Sequence, residues 1–309
     1  MKHKPYRYFL YLGLCLVQGL VSWLPRNFLL GLAEGLGRIA FFVARRERKK
    51  TLLHLTSVYG GEKSPEEIHE LGKQVFVHFG RIAADVLRFP KWNRAELDRL
   101  IEGKESFSPI DRLLSEGRGI ILLTAHLGNW ELLGAFLTLR GYNGAGVGRR
   151  IYYEKFDRFL VDLRKQAGVR TIYQDAHARE YLKVLNQNEI LVILADQDVD
   201  HLDGIFVPFF GRPAYTLTSP VKLALATGAP ILPAFLVRAG DCYRLLIDEP
   251  IRVEMRATRD QTLQEYTARW SGVVEAKIRA YPEQWVWMHR RWKTAETPGG
   301  VAQTPVSVR

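Results

Sequence analysis

The sequence predicts an α/β fold: a largely parallel or mixed central sheet flanked by helices, with an apolar helical segment ahead of it. Three observations carry this. First, short apolar runs such as Gly119–Thr124 (GIILLT) and Ile190–Ala195 (ILVILA) lack the polar alternation of a half-exposed strand. Continuous apolar strands belong to sheets covered on both faces. Second, these runs alternate with amphipathic helical stretches, the order of an α/β domain. Third, 309 residues with 47% hydrophobic content suffice for a substantial core.

The N-terminal segment comes first. Tyr8–Leu24 holds 17 residues without a charge, the short limit for a membrane span, and Lys2, Lys4 and Arg7 precede it. No small-residue cleavage site follows; Pro25 and Arg26 do. Asn27–Ala44 is apolar apart from residues such as Glu34 and Arg38, spaced to pair on one helix face. Arg45, Arg46, Arg48, Lys49 and Lys50 then form a basic cluster. With basic residues on both flanks, a hairpin at Pro25 or a helix lying in the interface keeps both flanks on one side of a bilayer. A buried helical hairpin is the other reading. Residues 1–44 are therefore expected to form a membrane-associated segment, 45–294 the main domain, and 295–309, poor in core residues, a disordered tail.

Within the main domain, Ser64-Pro65-Glu66-Glu67 carries an N-cap, a first-turn proline and capping-box spacing, and predicts a helix to about Arg88. Strands are expected at Gly119–Thr124, Gly144–Gly148, Arg170–Tyr173, Ile190–Ala195, Pro230–Val237 and Tyr243–Ile247. Helices are expected at Glu131–Leu139, Tyr153–Gly168, Ala178–Leu185, Leu217–Thr227 and Thr262–Ala280.

A formal charge of +11 suits nucleic acid, anionic lipid or an acidic partner. No nucleic-acid module is recognisable and the basic residues are scattered. Two distant cysteines, Cys15 and Cys242, make no disulfide framework or metal signature. The acidic run after Asp196 lacks the glycine and terminal glutamate of a calcium loop. No metal or cofactor is expected. G-x-S-x-G and P-loop signatures are absent.

Chemistry concentrates where the strand GIILLTA ends in His126, with Glu131 five residues on. Ligands gather at the carboxyl ends of strands in α/β sheets. On one helix the two positions lie about 140° apart and do not meet. With His126 in a loop and Glu131 in the first helical turn, Gly128 and Asn129 allow the chain to fold back. The carboxylate then holds one ring nitrogen and leaves the other to accept a proton. The residues alone equally allow a satisfied core histidine and a glutamate placed against a helix dipole.

His126-Leu-Gly-Asn-Trp-Glu131 resembles the HX4(D/E) motif of glycerolipid-type acyltransferases. Three further blocks resemble the lipid A biosynthesis branch of those enzymes, which the phosphatidylinositol mannoside acyltransferases share. They are Asp196-Gln197-Asp198 followed by Phe206–Ala214 (FVPFFGRPA), Gly228–Pro233 (GAPILP), and Trp285–Lys293 (WVWMHRRWK). The resemblance runs from the apolar N-terminus to about Lys293. It implies a bacterial inner-membrane enzyme facing the cytoplasm. It also implies acyl transfer from an acyl carrier protein or coenzyme A thioester to a hydroxyl of an anionic glycolipid such as a lipid A precursor. His126 would be the general base and Glu131 its orienting partner. Another glycolipid or a lysophospholipid is the alternative acceptor. A hydrolase activating water, or a non-catalytic basic membrane-surface or nucleic-acid-binding protein, are the alternatives in other classes. A glutamate of the glycerol-phosphate acyltransferases is missing from the Phe206 block, which argues against a lysophosphatidate acceptor.

The same resemblance singles out Arg164, before the turn at Gly168; its fork, with those of Arg149 and Arg150, suits phosphate groups, and a solvated helix and loop face is the other reading for all three. Asp196 and Asp198 end an apolar strand, a position that suits substrate binding. Phe209, Phe210, Gly211 and Arg212 are expected to line an acyl channel or face the membrane, with core packing as the other reading for the aromatics. His289 has no acid at a comparable spacing and is left out of the catalytic set.

Overall fold

The computed structural model describes residues 6–103, 107–297 and 300–301. Four helices open the chain: α1 (Tyr6–Val21), α2 (Arg26–Val43), α3 (Arg45–Tyr59) and α4 (Pro65–Leu87). Pro25 separates α1 from α2, as the sequence suggests. The capping box forms at α4, with Ser64 Oγ accepting from Glu67 N and the Glu67 carboxylate accepting from Ser64 N. The basic cluster 45–50 is not a flank but the first turns of α3.

The main alternation follows: α5 (Arg94–Leu100), β1 (Ile101–Glu102), α6 (Ser108–Leu114), β2 (Ile120–Thr124), α7 (Trp130–Leu139), β3 (Gly144–Gly148), α8 (Glu154–Gln166), β4 (Arg170–Tyr173), α9 (Ala178–Asn186) and β5 (Ile190–Leu194). After these come β6 (Gly204–Phe209), β7 (Arg212–Leu217), α10 (Ser219–Thr227), β8 (Ile231–Ala239), β9 (Cys242–Ile247) and α11 (Arg259–Ala280). Glu296–Thr297 (β10) and Gly300–Val301 (β11) pair antiparallel, so part of the expected disordered tail is a short ladder. Residues 298–299 and 302–309 of that tail, and Lys2 and Lys4, lie outside the described residues.

The seven-stranded sheet has the order β1-β9-β8-β2-β5-β3-β4. All its pairings are parallel except β8 with β9, so the sheet is mixed. Its two faces carry separate cores. Ile121 and Leu123 of β2 pack with α9, α10 and α11; Ile120 and Leu122 pack with α6, α7 and α8. Every residue of β2 is buried, which is why its sequence shows no alternation.

β6 and β7, the Phe206 block, form a separate antiparallel hairpin instead of a loop. Its two-residue turn, Phe210-Gly211, has positive φ at both positions (52° and 70°), the twist a tight hairpin needs.

The N-terminal helices do not form a single span. Among the described residues no single helix is long and apolar enough to cross a membrane; α2 and α3 pass that test only together, across an 89° bend. α2 lies along α4 with Leu29, Leu30, Ala33, Gly37 and Phe41 buried. Its other face exposes Phe28, Leu32, Leu36, Ile39, Phe42 and Val43. Arg26, at the start of α2, donates to the fully buried Asp85, which also accepts from Arg238 (2.7 Å) and the Tyr243 hydroxyl. This buried cluster ties α2 to the sheet.

Candidate active site

The site is built by register. β2 and β5 are parallel neighbours with Thr124 opposite Leu194. His126 follows β2 by two residues and Asp196 follows β5 by two, so the two side chains emerge together at one edge of the sheet. The helix after β2 covers one face and α10, after β5, the other. The edge between such strands is where an α/β sheet opens a crevice.

The contact is direct. His126 Nδ1 lies 2.8 Å from Asp196 Oδ1, and the His126 backbone N–H donates to Asp196 Oδ2 at 3.0 Å. Trp285 Nε1–H donates to the same Oδ2 at 2.8 Å. Asp196 is buried, which alone would raise its pKa. The His126 ring, the Trp285 indole and the His126 amide outweigh that and hold it down at about 2. The carboxylate is thus ionised and fixes Nδ1 as the protonated nitrogen, leaving the lone pair on Nε2. The His126 side chain stays 22% exposed, in edge contact with Trp130 (centroids 5.0 Å apart).

The loop behind His126 is held from three sides. Gly128 has φ +62°, and a Cβ there would meet Leu236 O at 2.1 Å, so only glycine fits. Gly128 N donates to Gln284 O and Asn129 N to Leu236 O. Gly128 O lies 3.2 Å from Nε2 of the buried His78. Asn129 Oδ1 caps α7 by accepting from Leu132 N. The cavity that the polar residues Glu34, Arg81, His78, Arg238 and Gln284 help to line, about 400 Å³, lies behind this loop and does not include His126.

Glu131 does not brace His126. No hydrogen bond joins them among the described residues. Its carboxylate forks onto Arg164 of α8 (Nε–Oε2 2.8 Å, Nη2–Oε1 2.5 Å) and accepts from the Trp130 indole at 3.3 Å. The reason is position: Glu131 sits in the first turn of α7, against the last turn of α8. Asp196, expected to bind substrate, is the brace. Arg164, expected to bind phosphate, is engaged by Glu131 and only 19% exposed.

The other expected contacts divide. Arg149 and Arg150 lie exposed past the end of β3, on the same sheet edge as His126. Arg150 stacks on Tyr173, 3.8 Å from the ring centre. Asp198 is buried, with both oxygens taken by the Thr294 N–H and hydroxyl at 2.8 Å each, so it holds the C-terminal segment. Phe209 and Phe210 are buried among Trp285, Trp287, Trp292 and Tyr59. For both, core packing is what the structure has. Gly211 is the hairpin turn. Arg212 is exposed and lies over Trp292.

Two residues at the site escaped the sequence reading. Gln197 Nε2 lies 3.1 Å from both ring nitrogens of His126 and 3.0 Å from His289 Nε2. The two imidazole centroids are 5.4 Å apart. Burial, with the charge on His126, pushes His289 down to about 4, so its ring is neutral at pH 7. The signals were the Asp196-Gln197-Asp198 block for Gln197 and the WVWMHRRWK block for His289: Trp285 bridges to Leu127 and Val286 N donates to His126 O, which delivers His289 to the site.

The fold and site thus define an α/β protein with a histidine–aspartate pair at adjacent strand ends. A family profile described as "Bacterial lipid A biosynthesis acyltransferase" matches residues 2–294, and the chain belongs to that family. It is 28% identical over 299 residues to the lipid A biosynthesis lauroyltransferase of Escherichia coli K12, covering 91% of this chain and 90% of that one. It is 31% identical over 163 residues to a phosphatidylinositol mannoside acyltransferase of Mycobacterium tuberculosis, covering 50% of each chain, so the match spans about half the length of that relative. Among solved structures, the 1-acyl-sn-glycerophosphate acyltransferase of Thermotoga maritima aligns with a TM-score of 0.36 at 15% identity, over 84% of this chain and 98% of that one.

Proposed function

We propose that this protein is an O-acyltransferase working at a membrane surface, moving an acyl chain from a thioester to a hydroxyl of a glycolipid. The observation that carries the reading is the His126–Asp196 pair, 2.8 Å apart, with the lone pair on Nε2 and the ring partly exposed. Asp196 holds the proton on Nδ1 and stabilises the imidazolium that forms. Nε2 takes the proton of the acceptor hydroxyl as that oxygen attacks the thioester carbon. Glu131 contributes by fixing Arg164 and the start of α7, not by touching His126. Exposed Arg149 and Arg150 supply charge for an anionic acceptor headgroup. Family membership and the named relatives support a glycolipid acceptor, either a lipid A precursor or a phosphatidylinositol mannoside. The thioester carrier is acyl carrier protein or coenzyme A, and the site of action is the bacterial inner membrane.

The test is incubation of purified protein with labelled palmitoyl-coenzyme A or the corresponding carrier-protein thioester, and each of the two acceptors, with the product read by mass. His126→Ala is expected to lose at least about 10³-fold in transfer with an unchanged circular dichroism spectrum. Asp196→Asn, whose amide favours the wrong tautomer, is expected to lose about 10²-fold. A His126→Ala protein with ordinary turnover, or thioester loss independent of any acceptor, overturns the reading.

A further inference from the structure

Gln197 stands where a second catalytic function would act. Its amide nitrogen is equally distant, 3.1 Å, from both ring nitrogens of His126. An atom lying in the ring plane at equal distance from both would collide with the Cε1–H between them. The amide therefore sits over the face of the ring. His126 Nδ1–H is committed to Asp196, and the Nε2 lone pair lies in the ring plane. The amide stands beside that lone pair without capping it.

Gln197 carries two N–H donors on this nitrogen. His289 Nε2, 3.0 Å away, accepts one of them. The second N–H has no in-plane acceptor on the His126 ring, whose Nε2 lies 3.1 Å from the amide nitrogen. Gln197 is only half-buried. It also follows Asp196 directly, so the residue that orients the base fixes the start of its backbone as well.

We infer that Gln197 is a catalytic residue whose free amide N–H donates to the oxyanion of the tetrahedral intermediate, and that His289 is a positioning residue holding the other N–H. This rests on the reading of His126 as the general base. The acceptor oxygen bonds to the thioester carbon while its proton passes to His126 Nε2. The carbonyl π pair moves onto oxygen, and that negative oxygen receives the Gln197 N–H. When the carbonyl re-forms, the C–S bond breaks, and the leaving thiolate takes the proton back from Nε2. Donors aimed at developing charge rather than at the ground state change kcat more than KM.

The test uses the full chain with palmitoyl-coenzyme A and whichever of the two glycolipid acceptors the native protein acylates. Gln197→Met keeps the length and removes both donors; Gln197→Ala is the second variant, and a melting curve checks each fold. Both are expected to lower kcat by about 10² to 10³-fold, with KM for either substrate within about threefold and the pH at which kcat/KM half-falls on the acid side unmoved. His289→Ala is expected to lower kcat about tenfold, and His289→Gln, which restores an acceptor, to recover most of it. A folded Gln197→Met or Gln197→Ala protein with kcat within threefold of native, or faster, overturns the assignment while a dead His126→Ala protein leaves the base in place. An active His126→Ala protein overturns the base itself.

Discussion

His78 shows how one buried side chain can govern the response to acid. It lies under the loop that carries His126, with Nε2 against Gly128 O, and burial, with the nearby Arg238 charge, pushes its pKa down from 6.5 to about 3. Between these values the folded protein keeps His78 neutral while the unfolded chain takes up a proton. Its contribution to stability is therefore complete above pH 6.5 and is lost progressively as the pH falls towards 3, at up to about 1.4 kcal/mol per pH unit. Asp196 acts lower: with its pKa depressed from 3.8 to about 2, its contribution is complete above pH 4 and disappears as the pH falls through 2. The expected outcome is a melting temperature that drops between pH 6.5 and 4.5 in the native protein and a flatter profile in His78→Gln. Identical slopes for the two proteins would remove His78 as the cause.

At the scale of elements, the junction of α2 and α4 is set by glycines. A Cβ on Gly37 would lie 2.7 Å from Phe76 O, and one on Gly80 2.4 Å from Ala33 O. Either helix backbone touches the other, so an added methyl forces the pair apart. Gly37→Ala and Gly80→Ala are each expected to cost roughly 1–3 kcal/mol in urea unfolding, despite alanine's better helix propensity. What the sequence revealed follows the same division between local and distant. The continuous strands and the α4 capping box were legible because their signals are local. The β6–β7 hairpin was not, because Phe210 in the left-handed region disguises its turn as an apolar run. His126 was legible from its place at a strand end. Its brace was not, since Asp196 is seventy positions away and meets it only through the β2–β5 register. Spacing pointed to Glu131 instead, whose true partner, Arg164, is supplied by another helix.

At the scale of the whole molecule, the first two helices carry exposed apolar side chains. Phe9, Leu16 and Trp23 of the α1 region and Leu32, Leu36, Phe42 and Val43 of α2 are all more than half exposed. Beyond α1 the surface continues into Ile151 and Tyr152, where Arg7 lies over the Tyr152 ring and Lys155 reaches Tyr8. That stretch directly follows Arg149 and Arg150, so greasy surface and the charged rim of the site adjoin. Exposed apolar side chains of this kind, with arginine and lysine beside them, suit the plane of an anionic bilayer. The full chain is expected to co-sediment with phosphatidylglycerol vesicles. The triple change Leu32→Glu, Leu36→Glu, Phe42→Glu is expected to reduce that binding at least about tenfold while leaving the melting temperature within a few degrees. Undiminished sedimentation of the triple variant would move the contact surface elsewhere.

The Trp285–His289 hook has a consequence for how the protein is made. The histidine loop is made first, the aspartate that steadies it seventy residues later, and the tryptophan and second histidine last of these. The cluster around His126 therefore cannot close until the chain has been made as far as His289.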